Sequence, residues 1–206
     1  MDFYHNLITE KSWKLLIKLR KNYDFILIGG WAVFLYTKAL KSKDIDLVVD
    51  YEELSKLKKE FDVFKNDRLK KYEARSAEVE IDIYVPFYSN PGLPAEDLRN
   101  FSLSIEGFKT VEKEILAILK QRALMDRIHS VKGRKDLIDL ISLISSEDFY
   151  WDRYRKTLKG YGLQEYLRFA KEEIAKVREI NEIGLNVHKM ARLKKKILPL
   201  FENEAS

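Results

Sequence analysis

Between Phe25 and Asp50 the chain reads FILIGGWAVFLYTKALKSKDIDLVVD, and this run restricts the fold more than any other. FILI, 25–28, is a short continuous apolar stretch and reads as a buried strand. Gly29 and Gly30 then turn the chain. WAVFLYTKAL, 31–40, is mostly apolar and has the length of a well-buried helix. DIDLVVD, 44–50, reads as a second strand. Its aspartates Asp44 and Asp46 flank Ile45, so on a strand both carboxylates point to one face.

The rest of the chain continues as mixed α/β and then becomes helical. Leu7, Trp13, Leu16, Ile17 and Leu19 lie near helical spacing over 6–21. Asp50 with Glu53 forms a capping box that opens a helix over 51–60. LKKYEAR (69–75) and EVEIDIYV (78–85) predict two strands of a hairpin or meander. In the second, Val79, Ile81, Ile83 and Val85 face one way, and Glu78, Glu80, Asp82 and Tyr84 the other. Residues 86–98 hold three of the four prolines and predict a loop. FSLSIEGFKTV, 101–111, predicts a strand, a turn at Glu106-Gly107 and a return. From Thr110 the pattern turns helical, with one helix over 111–128, a loop over 129–134 and a second helix over 135–145. Two or three more helices follow, broken at 159–162 and near Gly184. The expected fold class is α+β: a mixed core over 1–108, then a helical region over 109–206 whose last part, 146–206, is basic.

Composition removes several chemistries. With no cysteine there are no disulfides, zinc–thiolate sites or cysteine nucleophiles. His5, His129 and His188 lack metal-ligand spacing, so any metal would be held by oxygen, which points to Mg2+ or Mn2+. No run of about 18 apolar residues suggests a membrane span. The N-terminus lacks the order of a signal peptide, and a cytoplasmic location is expected. The charged fraction of 34%, rich in Lys and Glu, leans towards a thermophile. Residues 1–150 carry 25 Lys+Arg and 25 Asp+Glu, whereas 151–206 carry 13 and 8, so the whole net charge of +5 sits at the C-terminal end. Such a tail suits an anionic partner such as RNA, or is a solvated helical face.

Two carboxylates one strand pleat apart repel unless solvent or a divalent cation intervenes; Lys41 and Lys43 offer partial relief. If the strand carrying Asp82 lies beside the one carrying Asp44 and Asp46, three carboxylates converge, the frame of two-metal phosphoryl transfer. Glu80 and Glu78 are alternatives for the third ligand, and the plain alternative for Asp82 is an exposed edge-strand carboxylate. Gly29-Gly30 lets backbone N–H groups approach phosphate at a helix N-terminus, or is a simple turn. The pattern is neither Gly-x-Gly-x-x-Gly nor a P-loop.

Taken together, the apolar strand, Gly29-Gly30, helix, Lys41-Ser42-Lys43 step and Asp-x-Asp resemble the nucleotidyltransferase superfamily of DNA polymerase β. ILAILKQRALMDRIHSVKGRKDLIDLISLI, 115–144, is similar to the helix lysine, downstream arginine and Lys-Asp-x-x-Asp of the AbiEii-type, toxin-like branch. The resemblance implies a small twisted mixed sheet flanked by helices and followed by a helical bundle, with 109–145 completing the nucleotide site. It implies that Gly29 and Gly30 bind a nucleoside triphosphate, ATP among them, and that Asp44, Asp46 and Asp82 hold magnesium. Lys41 and Ser42 match its basic and hydroxyl positions. Lys120 would bind nucleotide phosphates, with Asp136, or else Asp139, as the later acidic residue and Arg122 and Arg127 on the same helix. Many members carry Gly-Ser at the turn; Gly-Gly-Trp here lacks that hydroxyl. The plain alternatives are a solvent-facing Lys120, a first-turn helix carboxylate at Asp136, and a surface ion pair of Arg127 with Asp136.

The implied activity moves a nucleoside monophosphate onto an acceptor hydroxyl, with Asp82 placed to accept its proton. RNA or tRNA is the expected acceptor, and a protein the alternative; some members act as toxins paired with an antitoxin. Tyr150, Trp151, Tyr154, Tyr161 and Tyr166 either stack bases or belong to the core. A non-catalytic nucleotide- or partner-binding relative is the other class of answer.

Overall fold

The computed structural model describes residues 2–202, with side chains from Leu7 onward. It divides into two compact units, one ending at Glu112 and the other beginning at Lys113.

The first unit contains α1 (Asp2–Asn22), β1 (Ile26–Ile28), α2 (Gly29–Thr37), β2 (Ile45–Val48), α3 (Tyr51–Glu60), β3 (Val63–Asn66), β4 (Lys71–Ser76), β5 (Val79–Tyr84), β6 (Ser102–Ile105) and β7 (Phe108–Val111). The seven strands form one mixed sheet in the order β3-β4-β5-β2-β1-β7-β6. β2 runs parallel to β5 and antiparallel to β1, and β1 runs parallel to β7. Hairpins β3–β4 and β6–β7 close the two edges. The alternation read along β5 is real: Val79, Ile81 and Ile83 are buried while Glu80 is exposed. Asp50 caps α3 by accepting from the Glu53 amide at 2.9 Å.

Trp31 belongs to the core of this unit. Its Nε1 donates to Ser12 Oγ at 2.8 Å, and its ring stands 4.9 Å from that of Trp13. It therefore anchors α2 to α1, which explains an aromatic residue just after the glycine turn. The helix expected over 31–40 starts two residues earlier. It ends at Thr37, where Lys38 adopts a left-handed conformation (φ 54) and its amide closes on Phe34 O. β2 begins at Ile45, so Asp44 lies in the bend before the strand rather than on it. β3 had no sequence signal: its residues VFKN are half-buried or exposed, and only pairing with β4 defines it.

The second unit is helical: α4 (Lys113–Arg127), α5 (Val131–Ile144), α6 (Trp151–Gly160), α7 (Glu165–Lys176) and α8 (Val187–Ile197). The loop expected over 129–134 is shorter, because Ser130 caps α5 by accepting from Gly133 N at 2.9 Å. Gly133, expected in that loop, lies inside α5. A Cβ on it would stand 2.1 Å from the Arg127 carbonyl oxygen, so the glycine lets the α4–α5 turn pack closely. Gln121 ties three helices together: it accepts from the Tyr154 hydroxyl at 2.5 Å and donates to Tyr166 O at 2.9 Å. Tyr154 and Tyr166 are thus core residues and are not available to stack bases. Among the described residues no helix is long and apolar enough to cross a membrane.

Candidate functional site

The sheet register decides which carboxylates meet. Asp46 on β2 is the direct neighbour of Asp82 on β5, and Asp82 is opposite Glu73 on β4. Three carboxylates therefore line one face across three neighbouring strands, each step about 4.8 Å. β5 is an interior strand, which removes the edge-strand alternative for Asp82. Asp44 stands at the N-terminal end of β2, and its negative charge acts on Asp82. The alternative third ligands are engaged elsewhere: Glu80 pairs with Arg75 at 3.2 Å and Glu78 with Lys11 at 2.5 Å.

A lysine joins this face that the sequence reading did not single out. The Lys71 ammonium lies 2.6 Å from Asp82 Oδ2 and 3.1 Å from Glu73 Oε1, with 12% of its side chain exposed. Asn66, its register partner on β3, donates to the same Glu73 oxygen at 3.0 Å. The signal was present in the Lys71-x-Glu73 alternation, but only the register places it diagonally across from Asp82. Burial raises Asp82 above the usual carboxylate range. Lys71 pulls it down without cancelling that effect, while Glu73 and Asp44 push the same way as burial. For Lys71 burial alone would lower the pKa; the charge of Asp82 and hydrogen bonds to Asp82 and Glu73 outweigh it and hold the ammonium above its ordinary value.

The glycine turn meets the same face. Ile28 pairs with Asp46, and Gly29 follows with φ +69. A Cβ on Gly29 would stand 1.9 Å from Asp46 Oδ2, so only glycine leaves room for that carboxylate. α2 starts here, and Ile28 at its N-cap has no side-chain acceptor for the first amides. Gly30 is buried in the first turn. Lys41 is exposed and Ser42 buried in the segment leading to Asp44.

The second unit holds its own charged cluster. Lys120 is buried, not solvent-facing: its ammonium lies 3.2 Å from Asp136 Oδ1 and 2.7 Å from Asp139 Oδ2. Arg127 Nε donates to Asp136 Oδ2 at 2.7 Å, while Arg122 pairs with Asp126 at 3.0 Å. Asp136 and Asp139 are fully buried, and Asp136 sits in the second turn of α5 rather than the first. The contact of Lys120 with Asp139 is electrostatic and off hydrogen-bond alignment; neither Asp139 oxygen has a hydrogen-bond partner among the described residues.

The donors Asp44, Asp46 and Asp82 are all oxygen, which fits the chemistry of Mg2+ or Mn2+. An ammonium already stands against Asp82 as a stand-in cation. Among the described residues no group of three or more His, Asp or Glu is arranged to hold a metal ion. Asp82 is paired with Lys71 instead.

No protein-family model matches the chain, and no curated protein matches it in sequence. Solved structures do. One is a protein from H. pylori described as a candidate nucleotidyltransferase: TM-score 0.58, 17% identity, covering 97% of this chain and 95% of that one. Another is JHP933 from Helicobacter pylori: TM-score 0.53, 18% identity, covering 97% of this chain and 92% of the other. The chain has a mixed α/β, nucleotidyltransferase-like fold.

Proposed function

We propose that the first unit moves a nucleoside monophosphate from a nucleoside triphosphate to an acceptor hydroxyl. The observation that carries this is the register pairing of Asp46 with Asp82 beside a glycine turn whose Cα abuts the Asp46 carboxylate. Gly29 and Gly30, at the positive end of α2, receive the triphosphate through backbone amides. Asp44, Asp46 and Asp82 would hold Mg2+ or Mn2+, which when bound supplies positive charge at the reacting phosphate and the departing pyrophosphate. Asp82 would accept the proton of the acceptor hydroxyl as that oxygen attacks the α-phosphorus and pyrophosphate leaves. Lys41 and Ser42, in the segment leading to Asp44, would supply a cation and a hydroxyl to the triphosphate. For Lys120 to neutralise phosphate charge, its ammonium must exchange Asp136 and Asp139 for phosphate oxygens.

RNA is the acceptor best supported by charge. On α8, Met190 and Ile197 face inward, and His188, Lys189, Arg192, Lys195 and Lys196 fall on the opposite, exposed face. Lys194 is used otherwise, donating to Ala175 O and Val177 O at the end of α7. A basic stripe with no acidic residue on the same helix suits a phosphate backbone. The non-catalytic alternative, a nucleotide- or partner-binding relative, is favoured by the pairing of Asp82 with Lys71.

The test is incubation with α-labelled triphosphates, Mg2+ and either total RNA or total protein. Label is expected in RNA, and not with the Asp44→Asn/Asp46→Asn double variant. Label in protein would replace the RNA acceptor, and full transfer by the double variant would overturn the assignment.

A further inference from the structure

We infer that Lys71 is a resident counter-cation of the carboxylate face, holding Asp82 when no divalent ion is bound and setting how tightly that ion binds. The role rests on the metal-dependent nucleotidyl-transfer reading of the same face.

Geometry supports it at three points. The Lys71 ammonium is within 2.6 Å of Asp82, the distance of a direct ion pair, in a largely enclosed position. A divalent ion using Asp82 as a ligand must therefore displace the ammonium or share the carboxylate with it, and two cations at one carboxylate repel. Second, Lys71 has somewhere to go. Glu73 lies 3.1 Å from the ammonium and is itself held by Asn66, so Lys71 keeps a partner after releasing Asp82. Third, the hairpin that delivers Lys71 is well fixed. Asn66 Oδ1 accepts from Leu69 N at 2.9 Å, Lys70 turns the chain with φ 50, and Lys71 is the first residue of β4. The nearby lysines on this hairpin face elsewhere: Lys65 pairs with Asp67 and lies over the Tyr88 ring, and Lys70 lies over the same ring.

Two arrangements follow. Without a divalent ion, Lys71 bridges Asp82 and Glu73 and the row of carboxylates is partly neutralised. With the ion bound, Asp82 turns to it and Lys71 stays with Glu73. Lys71 is thus a positioning residue: it acts through Asp82, and its removal tightens cation binding instead of weakening it. An ordinary structural salt bridge would have the opposite signature, since its loss would loosen the site.

The test is Mn2+ binding to the full chain, read by electron paramagnetic resonance without nucleotide and therefore without turnover. Lys71→Met is expected to bind Mn2+ about tenfold more tightly than the unsubstituted protein, within the usual range of coupling between sites. Lys71→Arg, which keeps the charge, is expected to bind as the unsubstituted protein does. In an Asp82→Asn background, Lys71→Met should add nothing. Circular dichroism melting of each variant reports its folding, and Lys71→Arg carries the comparison if Lys71→Met fails to fold. An Arg variant with tighter Mn2+ binding would overturn the role of the charge. Equal Mn2+ affinity in the unsubstituted protein and Lys71→Met would overturn the inference and leave the metal-dependent reading standing. No Mn2+ binding by any of them would remove both.

Discussion

The chain has two groups of charges built from the same residue types, and they are buried to different depths. On the sheet, Asp46, Asp82 and Glu73 line up across three strands, with the Lys71 ammonium against Asp82 and Glu73. In the helices, Asp136 and Asp139 meet Lys120 and Arg127, two negative charges against two positive. In the helical group Asp136, Asp139 and Lys120 are buried and met by opposite charge, as a cluster that holds α4 to α5 must be, because an uncompensated charge there is costly. The sheet group is half-exposed, within reach of solvent and of a further cation. Acidic and basic residues near one another therefore mean a packing device in one place and a candidate binding face in the other. Burial separates them; residue type does not.

Substitutions sharpen or break that contrast. The largest effect is expected from Lys120→Met, which removes the cation lying against both buried aspartates and leaves Arg127 on Asp136. It should lower stability by about 3–5 kcal/mol in denaturant unfolding. Wild-type stability together with weakened triphosphate binding would move Lys120 from packing to substrate contact. Gly29→Ala comes next. It combines a left-handed backbone with a Cβ driven into the Asp46 carboxylate, and should cost about 1–3 kcal/mol and abolish Mg2+-dependent nucleotide binding. Unchanged binding would separate the glycine turn from the acidic face. Arg127→Ala should have the smallest effect, about 1 kcal/mol, since its side chain is 41% exposed and Asp136 keeps Lys120. A loss as large as that of Lys120→Met would mean that the two cations act as one unit.

Much of the sheet face was legible in sequence. The alternation along EVEIDIYV put Asp82 on the polar side of its strand, and DIDLVVD marked the neighbouring one. That the two strands pair, and pair with Asp46 beside Asp82, is long-range register, which local periodicity does not contain. Lys71 was missed for the same reason: its partner lies on the next strand. Asp44 was read as a strand residue because Ile45 separates it from Asp46, yet the strand starts one residue later. In the helical unit, Gly133 was read as part of a loop over 129–134 and is instead a point of close packing inside α5, which the contact with Arg127 O reveals. Trp31, beside the glycine turn, finds its role once α1 brings Ser12 and Trp13 to it.

The central claim, that the acidic sheet face and the glycine turn form one nucleotide site, is tested most directly by calorimetric titration. A non-hydrolysable nucleoside triphosphate would be titrated, with and without Mg2+, into the unsubstituted protein and into Asp44→Asn/Asp46→Asn. Binding that requires Mg2+ and disappears in the double variant, with its melting temperature kept, is the expected result. Binding of equal strength in the double variant would contradict the claim.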